Sequence, residues 1–197
     1  MRKRLLVVLL LLVTIILIVG CSSEDPYKYE GEEFVTMDDR ELKLEDIPEN
    51  SAEETVLNYF LYAITGDFES MLADLSDKES HRIIVNSEKV GFKEGIYIKS
   101  YVIHNISTLK EKEYNEEKLG NGDRNPFYSE KWREIVEEYK LVEYKIVNIE
   151  FTMKHSEKSN ALVPQYGDGT YSRNVIVGKI DKDTTFKIYD FGVLESR

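Results

Sequence analysis

Apolar side chains change their spacing along this chain, and that change decides the class of fold. Val56, Phe60, Ala63 and Ile64 recur at three-to-four intervals, with Leu57 and Leu61 widening the stripe, which predicts a helix with one buried face. Ser51-Ala-Glu-Glu54 reads as a capping box at its start, and Thr65-Gly66 stops it. Asp67 can cap a second short helix carrying Phe68, Met71, Leu72 and Leu75, and Ser76-Asp-Lys-Glu79 reads as a further capping box, opening a turn or helix through Ile83, Ile84 and Val85. From Ile96 the apolar residues fall at a period near two: Ile96, Ile98, Val102, Ile103 and Ile106 predict a long strand that can carry a bulge. Trp132, Ile135, Val136 and Tyr139 return to helical spacing, with Ser129 as a cap. Leu141 to Met153 is extended again, and a parity switch near residue 146 or 147 predicts either a bulge or a strand buried on both faces. Arg173–Ile180 and Phe186–Val193 flank Asp181-Lys-Asp-Thr184 as an antiparallel hairpin. Helices first and a meander afterwards predict an α+β fold, with N-terminal helices packed on a curved, antiparallel, cone-like sheet.

The start of the chain is different in kind. Arg2, Lys3 and Arg4 precede an apolar run from Leu5 to Val19, broken only by Thr14. Fifteen such residues suit a secretory signal, and they fall short of the roughly 20 needed to span a hydrocarbon core. The run ends at Ile18-Val19-Gly20-Cys21, and Cys21 is the single cysteine of the 197 residues. This segment resembles the lipobox of bacterial lipoproteins. The resemblance implies cleavage after Gly20, a diacylglyceryl group with palmitate-class acyl chains on Cys21, and a body held at the extracytoplasmic face of the cell membrane. Two chains are what stable anchoring requires. An uncleaved signal-anchor helix is the competing reading. Either way, Cys21 leaves no thiol for a disulfide or a nucleophile.

Charge divides the remainder. Residues 21–197 carry 23 basic and 37 acidic side chains, a balance of minus 14, and minus 8 of it lies between Ser22 and Asn50. Residues 1–20 are therefore read as a signal peptide, 21–50 as an acidic tether, and 51–197 as a single domain. Leu42 and Leu44 alternate, so a short strand docked on the domain competes with the tether. An acidic body repels phosphate backbones, which excludes nucleic acid as a partner; the expected partners are the membrane, through the lipid, and a protein or small-molecule ligand.

The stretch Val-Leu-Asn-Tyr-Phe-Leu-Tyr-Ala-Ile-Thr-Gly-Asp over residues 56–67 resembles the first helix and its Gly-Asp turn in the nuclear-transport-factor-two-like superfamily of cone-shaped α+β domains. Thr185-Phe-Lys-Ile-Tyr-Asp-Phe-Gly192 is similar to the final strand of that superfamily, and the whole body resembles uncharacterised lipoprotein domains of Gram-positive bacteria placed there. The resemblance implies a cavity at the mouth of the sheet, where enzymes of the superfamily place an Asp or His for proton transfer.

Catalytic signatures are missing from the sequence. His104, inside the first long strand, can face a cavity or the solvent; His81 and His155 sit in polar contexts that suggest the surface. No histidine pair has the spacing of a helical metal site, so neither zinc nor another cofactor is expected. Asp67 is explained as a helix cap, and Asp168, Asp181 and Asp183 as turn residues. Tyr97, Tyr101, Tyr144 and Tyr189 fall in predicted strands, where a ring with a polar tip suits a groove or a core equally. The expected role is therefore a lipid-anchored, non-catalytic domain that binds a ligand or partner. A small-molecule enzyme using His104 with a carboxylate is the alternative, and a solute receptor, which needs two lobes, is a third class.

Overall fold

The structure, a computed structural model, describes residues 27–110 and 126–197. The signal peptide and Cys21 lie outside the described residues, as do residues 111–125 of the expected polar loop. The fold is α+β, with a curved, unclosed sheet of mainly antiparallel strands.

The acidic stretch contributes a hairpin, β1 (Phe34–Met37) and β2 (Arg40–Leu44). Three helices follow: α1 (Ser51–Thr65), α2 (Phe68–Ala73) and α3 (Glu79–Glu94). Strand β3 (Ile98–Thr108) leads through the 111–125 segment to α4 (Pro126–Tyr139), which begins ahead of Ser129 with the proline at its first turn. Then come β4 (Glu143–His155), a short α5 (Glu157–Ala161), β5 (Gly169–Lys179), β6 (Lys187–Asp190) and β7 (Glu195–Ser196). The sheet order is β1-β2-β3-β4-β5-β6, with β7 paired to β5. All pairings are antiparallel except β2 with β3, which run parallel with Leu42 opposite Tyr101 and Leu44 opposite Ile103.

That parallel pairing corrects the tether at its carboxyl end. Of the two readings, the docked strand is the one found over Arg40–Leu44: Leu42 and Leu44 are buried in the main core while Glu41 and Lys43 point to solvent. Within β2, Glu41 and Lys43 are the outward half of an alternating strand.

The start of α1 is corrected by one residue. Asn50, not Ser51, is the cap: its Oδ1 accepts from the amides of Ala52 and Glu53. Glu53, not Glu54, returns, accepting from the Glu49 amide at 2.7 Å and from Asn50 Nδ2. Asparagine leads serine as a cap, and the buried Glu53 also ties α1 to β3 by accepting from the Thr108 amide. The second expected box does not form either. Lys78 stands at the cap position of α3 without a side-chain capping bond, and Ser76 instead meets His81. Asp67 caps α2 as predicted, through the Ser70 amide.

The parity switch in β4 is two-sided burial. Ile146 and Val147 are both buried, and the pairing with β5 continues without a shift through this point. Val147, Ile149, Phe151 and Met153 join Val56, Phe60 and Ile64 of α1 in the main core. Ile146 and Ile176 face the other way, into a second core with Trp132 and Ile135 of α4. The sheet is thus the middle of three layers, with α1 on one face and α4 on the other. The predicted bulges belong to β3, whose register with β4 slips between Ile98 and Ser100 and between Ile103 and Asn105.

Candidate functional site

Helix α3 presents an unusual inner face. His81, Val85, Glu88 and Phe92, at steps of four, three and four residues, turn toward the domain, whereas Ile83, Ile84 and Val90 are exposed. Glu88 and Phe92 line a cavity of about 250 Å³ between α3, the end of α1 and the first half of β3. Ala63 of α1, Phe68 of α2, Tyr97 just before β3, and Tyr101 within it supply further walls. Phe92 stands 5.3 Å from Phe68 and 5.6 Å from Tyr97, ring centre to ring centre. Gly66 makes room for this wall: its φ of 77° is left-handed, and a Cβ there would lie 2.7 Å from Phe92 Cζ.

The hairpin β1–β2 buttresses the aromatic wall without lining the cavity. Its turn residue Asp38 has a φ of 56°. Arg40 stacks 4.0 Å from the Phe92 ring centre and pairs with Asp38 at 3.1 Å, and the Tyr97 hydroxyl donates to Asp39 at 2.8 Å.

Glu88 gives the cavity its chemistry. The Tyr59 hydroxyl donates to its Oε1 at 2.6 Å, while its Oε2 is buried with no hydrogen-bonding partner. Burial pushes the carboxyl above its ordinary range, opposed by the bond from Tyr59. Tyr59 itself is pushed well above the usual phenol range by burial and by the nearby Glu88 charge, so it remains a donor. Arg173 of β5 shares the α1-facing parity with Tyr171 and Val175; burial lowers its pKa, and its Nε is buried without a partner.

His155 closes the opposite side, at the end of β4 and on the same parity as Met153 and Phe151. Its side chain is 7% exposed, so the surface position expected for it is corrected. Asp168 Oδ1 accepts from the His155 amide at 2.7 Å and meets Nδ1 at 3.0 Å. These bonds, the amide first, hold the Asp168 carboxyl below its ordinary range. A carboxylate can only accept, so Nδ1 carries the hydrogen of this contact, and the neutral tautomer that fits it has its lone pair at Nε2.

His104, the histidine singled out from the sequence, lies elsewhere. It bridges Glu45 Oε2 at 2.8 Å and Thr152 Oγ1 at 2.7 Å on the face opposite Tyr101 and Ile103, and does not line the cavity. Its carboxylate partner exists, but in the open: the Glu45 side chain is 43% exposed. His81 is buried rather than on the surface, held by Ser76 Oγ at 3.0 Å. Asp183 is a turn residue as expected, accepting from the Ile180 amide. Of the four strand tyrosines, Tyr97 and Tyr101 line the cavity, while Tyr144 and Tyr189 pack in the second core.

Among the described residues no cluster of three or more His, Cys, Asp or Glu side chains can hold a metal ion, and no helix is long and apolar enough to cross a membrane. No family model, curated protein or solved structure matches the chain.

Proposed function

We propose that this chain is a lipid-anchored, extracytoplasmic domain that binds a small molecule in the cavity between α1, α3 and β3. One observation carries the reading: an aromatic-walled cavity of about 250 Å³ with a buried, half-satisfied carboxyl, Glu88, in its wall. Sites for small ligands combine such apolar walls with a few convergent polar groups, and the size suits a small molecule better than a peptide. The cone-shaped likeness of the Val56–Asp67 stretch and the lipobox ending in Cys21 agree with this role.

Amide chemical shifts of the full-length protein, titrated with a panel of small amines, acids and alcohols, test the reading. Shifts are expected to cluster around residues 92–101 and 155–159, and to vanish in Ala63→Trp, which fills the space. Shifts scattered over the surface, or unchanged in Ala63→Trp, contradict it. Intact mass of native material tests the anchor, because an unmodified Cys21 removes it.

A second reading, proton transfer on the bound molecule, has the Asp168–His155 pair in its favour. A carboxylate on Nδ1 orients the ring with Nε2 free to act as a base. Turnover of a bound compound, lost in His155→Asn with binding retained, is the result that distinguishes this reading from simple binding.

A further inference from the structure

We propose that the cavity takes a small organic cation, an ammonium group on an apolar body, with Glu88 as its counter-ion inside the rings of Phe68, Phe92, Tyr97 and Tyr101. The inference rests on the small-molecule reading above and adds the ligand's charge.

Three observations converge on it. First, four aromatic rings line the cavity, and the face of such a ring attracts a cation, most strongly where water is excluded. Phe92 already holds one such contact: the Arg40 guanidinium lies 4.0 Å from its ring centre, outside the cavity and neutralised by Asp38. Second, Glu88 has spent one oxygen on Tyr59 and has the other left over. A buried carboxylate is stable only with a partner that brings both positive charge and hydrogen-bond donors, or, for a methylated ammonium, charge and polarised methyl groups. A neutral ligand supplies no charge to meet a carboxylate. Third, His155 also lines the cavity, and with its Nδ1 hydrogen directed at Asp168 the neutral form of the ring leaves Nε2 as an acceptor, which suits an ammonium. Outside the cavity, the nearby Lys158 ammonium is engaged by the Glu94 carbonyl. The net charge of the chain, minus 11, raises the local concentration of cations.

Isothermal titration of the full-length protein compares choline with dimethylbutanol, the alcohol of the same shape in which carbon replaces the ammonium nitrogen. Choline is expected to bind at least about tenfold more tightly, a ratio within the range of desolvated cation–aromatic contacts. Equal affinity, tighter binding of the alcohol, or binding of neither overturns the cationic assignment. Binding of the alcohol alone does so while leaving the small-molecule reading intact, and that reading fails only in the amide-shift titration above. Glu88→Gln keeps the shape and removes the charge. It is expected to abolish the preference for choline over the alcohol, and a preference that persists overturns the role of Glu88. Should Glu88→Gln fail to fold, Phe92→Leu serves in its place, with the preference expected to fall several-fold and an unchanged preference counting against the aromatic box.

Discussion

The Tyr59 hydroxyl donates to Glu88 Oε1 across 2.6 Å, while Oε2 of the same carboxyl is buried with no hydrogen-bonding partner among the described residues. Burial raises the Glu88 pKa above its ordinary 4.5. Below about pH 4.5 the folded and unfolded chains both hold the proton, and the residue costs nothing. As pH climbs, the unfolded chain releases the proton first, and stability is lost until pH passes the folded value. Glu88→Gln is therefore expected to gain about 1 kcal/mol near pH 8 and almost nothing near pH 4. Urea unfolding at the two pH values checks this, and an equal gain at both contradicts it.

Removing the other partner acts in the opposite direction. Tyr59→Phe strips a hydrogen bond from a buried acid, and a loss of about 1–2 kcal/mol is expected at neutral pH. In the Glu88→Gln background, where the orphaned group is neutral, the cost should shrink. A double-mutant cycle with no coupling between the two positions would be inconsistent with the bond.

His81 provides a second pH dependence of opposite sign. Burial holds the imidazole below its ordinary 6.5, with the Lys78 charge adding to the effect and the Ser76 carbonyl and Asp190 opposing it. The neutral ring fits the fold, so its contribution is complete above about pH 6.5 and is lost as pH falls through the folded value. Stability is expected to drop by about 1 kcal/mol toward pH 5, and His81→Gln should flatten that part of the curve. Thermal melts of both proteins between pH 5 and 8 decide it.

Leu42 separates a tether from a strand. It is 2% exposed and sits opposite Tyr101 in the parallel pairing. Leu42→Ala is expected to cost about 3 kcal/mol, whereas Glu41→Ala, one residue away on the solvent side, should change stability by less than about 0.5 kcal/mol. Equal effects would mean that the hairpin does not dock.

The cap of α1 makes a paired test. Asn50→Ala should cost about 1–2 kcal/mol and Ser51→Ala close to nothing, because only Asn50 accepts from the first-turn amides. A reversed order would restore Ser51 as the cap.

Much of the architecture is legible in local pattern. The stripe of Val56, Phe60 and Ile64, the Asp67 cap, the two-faced burial at Ile146 and Val147 and the Arg173–Ile180 hairpin are all properties of neighbouring residues, and each is found. What local pattern misses is long-range. Pairing β2 with β3 joins residues about 60 positions apart, and nothing near Leu42 specifies Tyr101 as its neighbour. Glu88 follows Asn86 and Ser87 and precedes Lys89, a context that reads as solvent-facing. Its inward turn shows only when helical steps are counted through His81, Val85 and Phe92, and that count competes with the more apolar Ile83, Ile84 and Val90 on the outside. His155 needs Asp168, which a loop and a short helix bring back to it. His104, by contrast, stands next to the buried Ile103, yet strand alternation turns it to the face opposite Tyr101 and Ile103.

The Tyr27 hydroxyl donates to Glu54 in the first turn of α1, and Tyr27 stands six positions after Cys21 in the sequence. Six residues span at most about 20 Å. A lipid on Cys21 would moor the molecule by the amino end of α1. The opening beside Ala63 lies toward the far end of the same helix, which is about 22 Å long. Solutes would then arrive from the aqueous side, by diffusion through the envelope, and not by sliding along the bilayer.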